Sequence, residues 1–190
     1  IGIGSGDTLL CKVDTLSVGL VAGDPKTGFL NAVLEYLGPA GTIVVPAYTD
    51  TYIFPYINKT KKIFKATDIP NTGGFARSVL MHPSSVRSTH PTNSFVALGK
   101  YAEQILSGHD YRSHSYMPVR AAMDVDAKGL ILGCLSSNPG HLTAHLVQYE
   151  LGQSTQNILK GFAGACFYDE NKLKVFLRKD FGGHSAGARK

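Results

Sequence analysis

Two short apolar runs separated by a helical pattern constrain the fold of this chain more than any other feature. The runs are Leu9 to Val13 and Gly41 to Pro46, and the second is the continuous apolar kind expected when both faces of a strand are covered. Asp24-Pro25 predicts an N-cap followed by proline at the first helical position, and Gly38-Pro39 predicts the end of that helix. The helical spacing between the runs is seen at Phe29, Ala32, Val33, Tyr36 and Leu37. A strand-helix-strand order favours parallel pairing through a right-handed crossover.

The rest of the chain extends this pattern. Two further buried-type strands are predicted, at Phe95 to Leu98 and Lys128 to Cys134. Helices are predicted at about Phe75 to Met81, Tyr101 to Leu106 and His141 to Leu151. Ala163 to Tyr168 and Leu173 to Leu177 flank a polar turn and predict a hairpin. The fold class predicted is α/β, with residues 1–190 as a single domain whose largely parallel central sheet is flanked by helices and followed by a C-terminal antiparallel hairpin.

Composition excludes some classes of protein and favours an anionic partner. No apolar run reaches the roughly 18 residues that a membrane span needs, and no signal-peptide pattern follows Ile1, so a cytoplasmic protein is expected. The three cysteines, an odd number in apolar surroundings, are expected to be buried free thiols of a cytosolic protein. A net charge of +5 suits a nucleotide or a phosphorylated cofactor. Nucleic-acid binding is disfavoured because the basic residues are dispersed and no aromatic-plus-basic RNA motif is present.

The segment from Val86 to Phe95 is the densest group of candidate binding residues. It reads Val-Arg-Ser-Thr-His-Pro-Thr-Asn-Ser-Phe, with a guanidinium, an imidazole, four hydroxyls and a stiffening proline directly before a predicted strand. Polar turns next to buried strands are where α/β proteins commonly place ligand-binding groups. A capped turn with a surface arginine accounts for the same pattern equally well.

His141 and His145 are candidates for chemistry because they are four residues apart and share one face of a helix. Three interpretations stay open: one packed and one solvated histidine, a zinc site, or a general base. The zinc interpretation lacks the Glu of a His-Glu-x-x-His pattern, because Leu142 follows the first histidine, and no third ligand is obvious nearby. No metal site is therefore expected. Neither a serine nucleophile elbow nor a reactive-cysteine context is present.

In four blocks the chain resembles the aminoglycoside 3-N-acetyltransferase family, and the Arg-Ser-x-His-Pro sequence is the most specific part of the resemblance. The blocks are Gly6 to Leu10 with Leu16 to Gly19; Leu37 to Pro46; Thr72-Gly73 with Arg87 to Ser94 and Ala97 to Gly99; and Leu130 to Gly133 leading to His145. The tail from Gly161 to Gly182 also resembles the C-terminal hairpin of that family.

The resemblance implies transfer of acetyl from acetyl-CoA, as co-substrate, to an amino group of an aminoglycoside or related amino sugar, an activity associated with antibiotic resistance. The implied base is His145, with His141 as its rival and His90 supporting the site. The implied acetyl-CoA contacts are Lys12, Val13, Asp14, Thr15, Thr72, Arg87, Ser88, Thr92 and Ser94. The expected partners are therefore CoA and a small-molecule amine, with no nucleic acid and no membrane, and with a homodimer left open.

The chain departs from the family pattern at three places. Lys12-Val13-Asp14 stands where members usually have His-Ser-Ser, and Gln148 stands where a carboxylate usually lies three residues after the base. Gly152 to Gln156 bridges in a few residues what is a long acidic segment in the family. Two alternatives follow: a CoA- or nucleotide-binding relative without transferase activity, and a histidine-dependent metal hydrolase. If the acidic segment is absent, the balance of 14 acidic against 19 basic residues favours an acceptor less cationic than an aminoglycoside; if the segment is present, aminoglycosides are again candidates.

Overall fold

The fold was analysed in a computed structural model that describes residues 2–19, 23–24, 26–49, 52–53, 63–135, 140–152 and 163–178. The strands are β1 (Thr8–Val13), β2 (Thr42–Pro46), β3 (Tyr52–Ile53), β4 (Ile63–Phe64), β5 (Val86–Arg87), β6 (Phe95–Gly99), β7 (Lys128–Leu132), β8 (Ala163–Asp169) and β9 (Lys172–Leu177). The helices are α1 (Thr15–Val18), α2 (Gly28–Leu37), α3 (Gly74–Met81), α4 (Ala102–Leu106), α5 (Met117–Met123) and α6 (Leu142–Glu150).

A central sheet has the strand order β5-β6-β2-β1-β7. β1 pairs in parallel with β2, which confirms the pairing expected from the strand-helix-strand order, and β1 is also parallel to β7. β6 pairs antiparallel with both β2 and β5, so the parallel part of the sheet is its β2-β1-β7 half. The carboxyl ends of β1, β2 and β7 therefore lie at one edge, together with the start of β6.

Helices cover both faces of this sheet, as the continuous apolar runs predict. Because successive side chains of a strand point to opposite faces, neighbouring residues such as Leu9 and Leu10 enter different clusters. The Leu9 cluster contains Leu30 and Leu37 of α2 and Phe75, Ala76 and Val79 of α3. The Leu10 cluster contains residues of α4, α5 and α6, among them Ile105, Val119 and Leu146. α6 is thereby packed onto the face that holds Leu10.

A second, smaller sheet is built on β8, which pairs with β3, β4 and β9. The β8–β9 pair is antiparallel, which confirms the predicted C-terminal hairpin. Glu170 and Asn171 form its two-residue turn, and both have a positive φ, 47° and 65°. A turn of this type matches the right-handed twist of the two strands. The α/β fold class with a C-terminal hairpin is confirmed.

The predicted start of the first long helix was wrong. α2 begins at Gly28 with Thr27 as its N-cap. The Asp24 carboxylate instead accepts hydrogen bonds from the backbone N–H groups of Lys26 (2.7 Å) and Thr27 (3.1 Å), so it closes the turn before the helix. The predicted buried face is also shifted, because Leu30 is 1% exposed whereas Tyr36 is 62% exposed.

Several short elements had no sequence-based prediction, namely α1, α5, β3, β4 and β5. The first of these is one helical turn directly after β1. The three cysteines are buried free thiols, as expected. Among the described residues, no helix is long and apolar enough to cross a membrane. The aperiodic sequence from Tyr48 to Pro70 predicts a long surface excursion, of which residues 50–51 and 54–62 lie outside the described residues, as does the short bridge after Gly152.

Candidate functional site

The edge where β1 and β7 end carries the first group of predicted cofactor contacts. The backbone N–H of Asp14 donates to the Leu132 carbonyl at 2.9 Å, which joins the two strand ends. The Asp14 carboxylate caps α1 by accepting from Leu16 N (3.1 Å) and Ser17 Oγ (2.7 Å). The hydrogen bond from Ser17 is the main reason why the pKa of Asp14 is lowered, so its carboxylate is ionised at neutral pH.

Thr15 and Thr72 are brought together at this edge. The Thr72 hydroxyl donates to the Pro46 carbonyl at 2.6 Å, which ties the segment before α3 to the end of β2. A Cβ added to Gly74 would lie 2.8 Å from Thr15 Oγ1, so only glycine lets the start of α3 approach α1 this closely. The structure thus forms a narrow, hydroxyl-bearing edge from α1 and the N-terminus of α3.

Lys12 and Val13 belong to β1, and neither side chain extends freely from this edge. The Val13 side chain is 8% exposed and lies in the core. Lys12 Nζ donates to the Gly140 carbonyl at 2.6 Å, which connects β1 to the residue before the α6 cap. Burial lowers the pKa of Lys12.

The Arg87 guanidinium is directed at the protein itself. Its Nη1 donates to the carbonyls of Ala66 (3.1 Å) and Asp68, and its Nη2 donates to the Ala47 carbonyl at 2.7 Å. Its Nε and Nη2 both contact Ser94 Oγ at 3.2 Å. These contacts match the five N–H donors of the fork, so the geometry gives Arg87 a cross-linking role. The predicted phosphate contact would require it to exchange these partners.

The hydroxyls of the same turn also have internal partners. Ser94 Oγ donates to the Ala47 carbonyl at 2.7 Å, and Thr92 Oγ1 donates to Asn93 Oδ1 at 2.9 Å. Ser88 Oγ accepts from Phe95 N at 2.8 Å. All three of these hydroxyl-bearing residues are buried. The segment with the most specific sequence motif is therefore a buried, internally bonded turn.

His90 is part of a buried pair of histidines. Its ring stacks on that of His109 with centroids 4.9 Å apart, and Phe176 of the hairpin contacts it edge-on at 5.0 Å. His90 Nδ1 accepts from Asn93 N at 3.0 Å, and His109 Nδ1 lies 2.9 Å from Ser88 Oγ. Burial lowers the pKa of His90 to about 3 and that of His109 to about 2, so both rings are neutral. A neutral buried ring that packs on the hairpin is suited to supporting the fold.

His141 is the N-cap of α6. Its Nδ1 accepts from Thr143 N, and its Nε2 lies 3.2 Å from the Leu10 carbonyl, which can only accept. Nε2 therefore carries the proton and Nδ1 has the lone pair, and both ring nitrogens have a structural partner. The cap satisfies a backbone N–H at the start of α6 and fixes the helix to β1.

His145 lies one turn further along α6 and is half-buried. Its ring stacks on Tyr116 with centroids 5.2 Å apart and an interplanar angle of 26°. Its Nδ1 lies 3.2 Å from Gln148 Oε1. Because an amide oxygen only accepts hydrogen bonds, Nδ1 donates the proton and the lone pair of the neutral ring is on Nε2. The two contacts fix both the plane and the tautomer of this imidazole.

A cavity of about 690 Å³ adjoins the same face of α6. Its lining comprises Tyr111, Arg112, Ser113, His114, Tyr149, Phe167, Lys174, Val175, Phe176 and Leu177. Tyr149 follows His145 by four residues and so lies on its face of the helix. The sequence-based predictions named none of these residues as site residues. The polar and aromatic run from His109 to Tyr116 is the signal that could have indicated them.

Among the described residues, no group of three or more His, Cys, Asp or Glu side chains could hold a metal ion. His141 and His145 do not converge as zinc ligands would, because the ring nitrogens of His141 are engaged with Leu10 and Thr143. The predicted site residues thus fall into three groups. They are the α1 edge (Lys12 to Thr15 and Thr72), the buried turn (Arg87 to Ser94), and the two histidines of α6 (His141 and His145).

Curated relatives of this chain carry related names. It is 30% identical over 125 residues to aminoglycoside N(3)-acetyltransferase VII of Streptomyces paromomycinus, which covers 58% of this chain and 43% of that protein. It is 29% identical over 150 residues to aminoglycoside N(3)-acetyltransferase IV of a Salmonella species, covering 78% of this chain and 54% of that protein. The chain therefore spans about half the length of these curated relatives.

Solved structures share the fold. The crystal structure of aminoglycoside acetyltransferase AAC(3)-Xa superposes with a TM-score of 0.73 at 17% identity, covering 97% of this chain and 69% of that one. The YokD protein from Bacillus subtilis also gives a TM-score of 0.73, at 22% identity, covering 95% and 77%. The sequence model of the family named aminoglycoside 3-N-acetyltransferase matches residues 10–175. The chain belongs to the aminoglycoside 3-N-acetyltransferase family.

Proposed function

We propose that this protein transfers acetyl from acetyl-CoA to an amino group of an aminoglycoside or related amino sugar. The observation that carries the proposal is the family match over residues 10–175, which includes the α1 edge, the Arg-Ser-x-His-Pro turn and α6. The curated relatives are named for N(3)-acetylation of aminoglycosides, and one structure of the same fold is titled as a binary complex with CoASH.

The α1 edge carries the remaining predicted contacts to acetyl-CoA. Gly74 lets the start of α3 pack closely against α1, because a Cβ there would lie 2.8 Å from Thr15 Oγ1. We assign contacts with acetyl-CoA to Thr15 and Thr72 at this edge, with Lys12, Val13 and Asp14 as its backbone frame. When bound there, acetyl-CoA would supply an acetyl group activated as a thioester.

We assign the role of general base to His145. The bond from Nδ1 to Gln148 and the stacking on Tyr116 hold the ring with its lone pair on Nε2. An amine must lose a proton as it attacks a thioester, and a neutral imidazole within hydrogen-bond reach can accept that proton. We assign supporting roles to His141 and His90, because both ring nitrogens of His141 are used in fixing α6 and Nδ1 of His90 is used within the buried turn.

The activity is tested by following release of free CoA from acetyl-CoA across a panel of amines that includes sisomicin. His145→Ala should lower turnover by roughly a hundred- to ten-thousandfold with the fold retained, as loss of a general base does. His141→Ala is the matched control: it should keep the activity of the folded protein and lower its unfolding free energy by about 1 kcal/mol, because a helix cap is lost.

Two results would count against this proposal. Near-full turnover in His145→Ala with loss of turnover in His141→Ala would assign the base to the helix cap. CoA binding by the wild-type protein without CoA release for any amine would favour the relative without transferase activity. The cytoplasmic location and the homodimer remain predictions; sedimentation of the purified protein would test the dimer.

A further inference from the structure

The cavity beside α6 shares a wall with a smaller cavity, and two ion pairs lie in that wall. Arg112 and Lys174 line the cavity of about 690 Å³. Their ion-pair partners, Asp110 and Asp169, do not line it; together with Glu170 they line an adjoining cavity of about 290 Å³. The two ion pairs therefore form a partition in which Lys174 lines only the larger cavity, whereas Arg112 lines both.

The partition is held in place by Tyr111. Its hydroxyl donates to Asp169 Oδ2 at 3.1 Å, and its ring lies 5.2 Å from Lys174 Nζ and 5.4 Å from the Arg112 guanidinium carbon. The Asp110 contact raises the pKa of Arg112, and the Asp169 contact raises that of Lys174, so both stay cationic. Each cation thus contacts both a carboxylate and the Tyr111 ring at this wall.

The larger cavity has no acidic side chain among its described lining residues. The sequence from Gln153 to Lys160, which stands where the family has its acidic segment, contains no Asp or Glu either. The remaining lining is mostly aromatic and aliphatic, and His114 stacks on Tyr149 with centroids 4.2 Å apart. Aromatic walls pack against the C–H face of a sugar ring, whereas fixed cations repel a polyamine.

We propose that this cavity holds the body of the acceptor and selects a ring-shaped amine that carries an anionic group, such as an amino sugar phosphate. The inference rests on the proposed transferase function. Tyr149, which lines the cavity, lies four residues after the proposed base His145 on the same helix. The volume of the cavity is in the usual range for a small-molecule site. The anionic group pairs with Lys174 and Arg112. The amine forms the C–N bond to the acetyl carbon, His145 takes the amine proton, and the C–S bond breaks to release CoA thiolate, which takes up a proton.

The test compares Lys174→Glu with Lys172→Glu, which lies on the same strand, is exposed and does not line the cavity. Three acceptors that differ in net charge are compared: glucosamine 6-phosphate, glucosamine and sisomicin. For the wild-type protein, kcat/KM should be about tenfold higher for the phosphate than for glucosamine, because charge-assisted bonds favour the anion. Lys174→Glu should abolish that preference and raise kcat/KM for sisomicin, while Lys172→Glu should leave both unchanged.

Calorimetry without an acetyl donor gives a second readout, using glucosamine 6-phosphate and adenosine 3′,5′-bisphosphate as probes. Binding of the sugar phosphate should weaken in Lys174→Glu only, while binding of the nucleotide should not change. If the nucleotide alone loses affinity, the cavity belongs to CoA and the inference is overturned. Preferred acetylation of sisomicin by the wild-type protein would overturn it while leaving the transferase function intact. A third outcome is that the sugar phosphate binds in a Lys174-dependent manner but no amine causes release of CoA. That result would support the cavity assignment and contradict the transferase function.

Discussion

Arg87 illustrates how a side chain with an obvious ligand-binding pattern can be used inside the fold. Its fork spans the carbonyls of Ala47, Ala66 and Asp68, which belong to segments far apart in sequence. Burial lowers the pKa of Arg87 to about 10, so the group remains charged at neutral pH while it makes these bonds. The planar geometry of guanidinium allows several carbonyls to be bonded at once.

Arg87→Lys should therefore affect stability more than CoA affinity. A lysine cannot reproduce the fork, and we expect the unfolding free energy to fall by about 2–4 kcal/mol, since several partly buried hydrogen bonds are lost. Arg77→Lys is the control, because Arg77 is exposed and, within the part of the chain that the structure describes, its side chain donates one long bond, to the Pro70 carbonyl at 3.4 Å. Denaturant unfolding and CoA calorimetry are compared for both. Unchanged stability with lost CoA affinity would instead support the phosphate contact predicted from the motif.

Gln148 holds the tautomer of His145 without adding charge. Replacing it by glutamate keeps the hydrogen bond and stabilises the imidazolium that forms during proton transfer. In Gln148→Glu, the pH at which turnover falls on the acid side of the pH–rate profile should rise by about one unit, because the carboxylate favours the protonated ring. Gln148→Ala serves as the comparison and should lower turnover, because the ring loses its orienting partner. A profile that is the same in Gln148→Glu and the wild-type protein would remove Gln148 from the mechanism.

At the scale of elements, the turn between β5 and β6 connects the two sheets. His90 and His109 are 0% and 2% exposed, and the turn is tied to the hairpin side through Phe176 and through the bond of 3.0 Å from Arg178 Nη1 to Asn93 Oδ1. The positive charge of Arg178 and the neighbouring His114 lower the pKa of His90, as its burial does, whereas the Asp110 carboxylate raises it. The turn is thus stable only while its imidazoles stay neutral.

Acid should therefore weaken the fold before its carboxylates titrate. In the unfolded chain the two histidines take up protons near their usual pKa of 6.5, whereas in the folded protein they stay neutral down to about 3 and 2. The unfolded state binds more protons across that window, so the stability that is present above pH 6.5 is lost as the pH falls. Together the two groups would give a slope of up to about 2.7 kcal/mol per pH unit.

Denaturant unfolding between about pH 4.5 and 6.5 measures this slope, above the range where most carboxylates titrate. His109→Phe removes one titrating group and should roughly halve the slope. His82→Asn is the control, since His82 caps the end of α3 away from this turn. A slope that is unaffected by His109→Phe would show that other groups are responsible.

At the scale of the whole molecule, the second sheet packs on the first through a few aromatic contacts. Phe176 touches His90, and Phe167 lies 4.9 Å from Tyr111 between ring centroids. Phe176, Phe167 and Tyr111 also line the cavity beside α6, so docking of the hairpin and formation of this cavity depend on each other. The cavity exists only where these separate parts of the chain meet.

Phe176→Ala should loosen the hairpin and the buried turn together. We expect a loss of about 1–3 kcal/mol, below the value for a fully buried phenylalanine because this ring is half-buried. Hydrogen exchange should then speed up at β9 and also at residues 88–95. Leu173→Ala, on the same strand and 57% exposed, is the control and should leave both regions protected. Faster exchange in β9 alone would mean that the hairpin opens independently of the turn.

The sequence by itself determined the buried strands, the parallel pairing of β1 with β2, and the family, because apolar runs and their order depend on local composition. It also pointed to His145 as the candidate base, through its place in a helix. Only the tertiary structure decided which partner each polar side chain binds, because a hydrogen-bond donor pairs with the acceptor that the fold brings next to it. Carbonyls distant in sequence meet Arg87, and the Leu10 carbonyl meets His141. The cavity beside α6 arises in the same way, because its lining comes from segments that are far apart in the sequence.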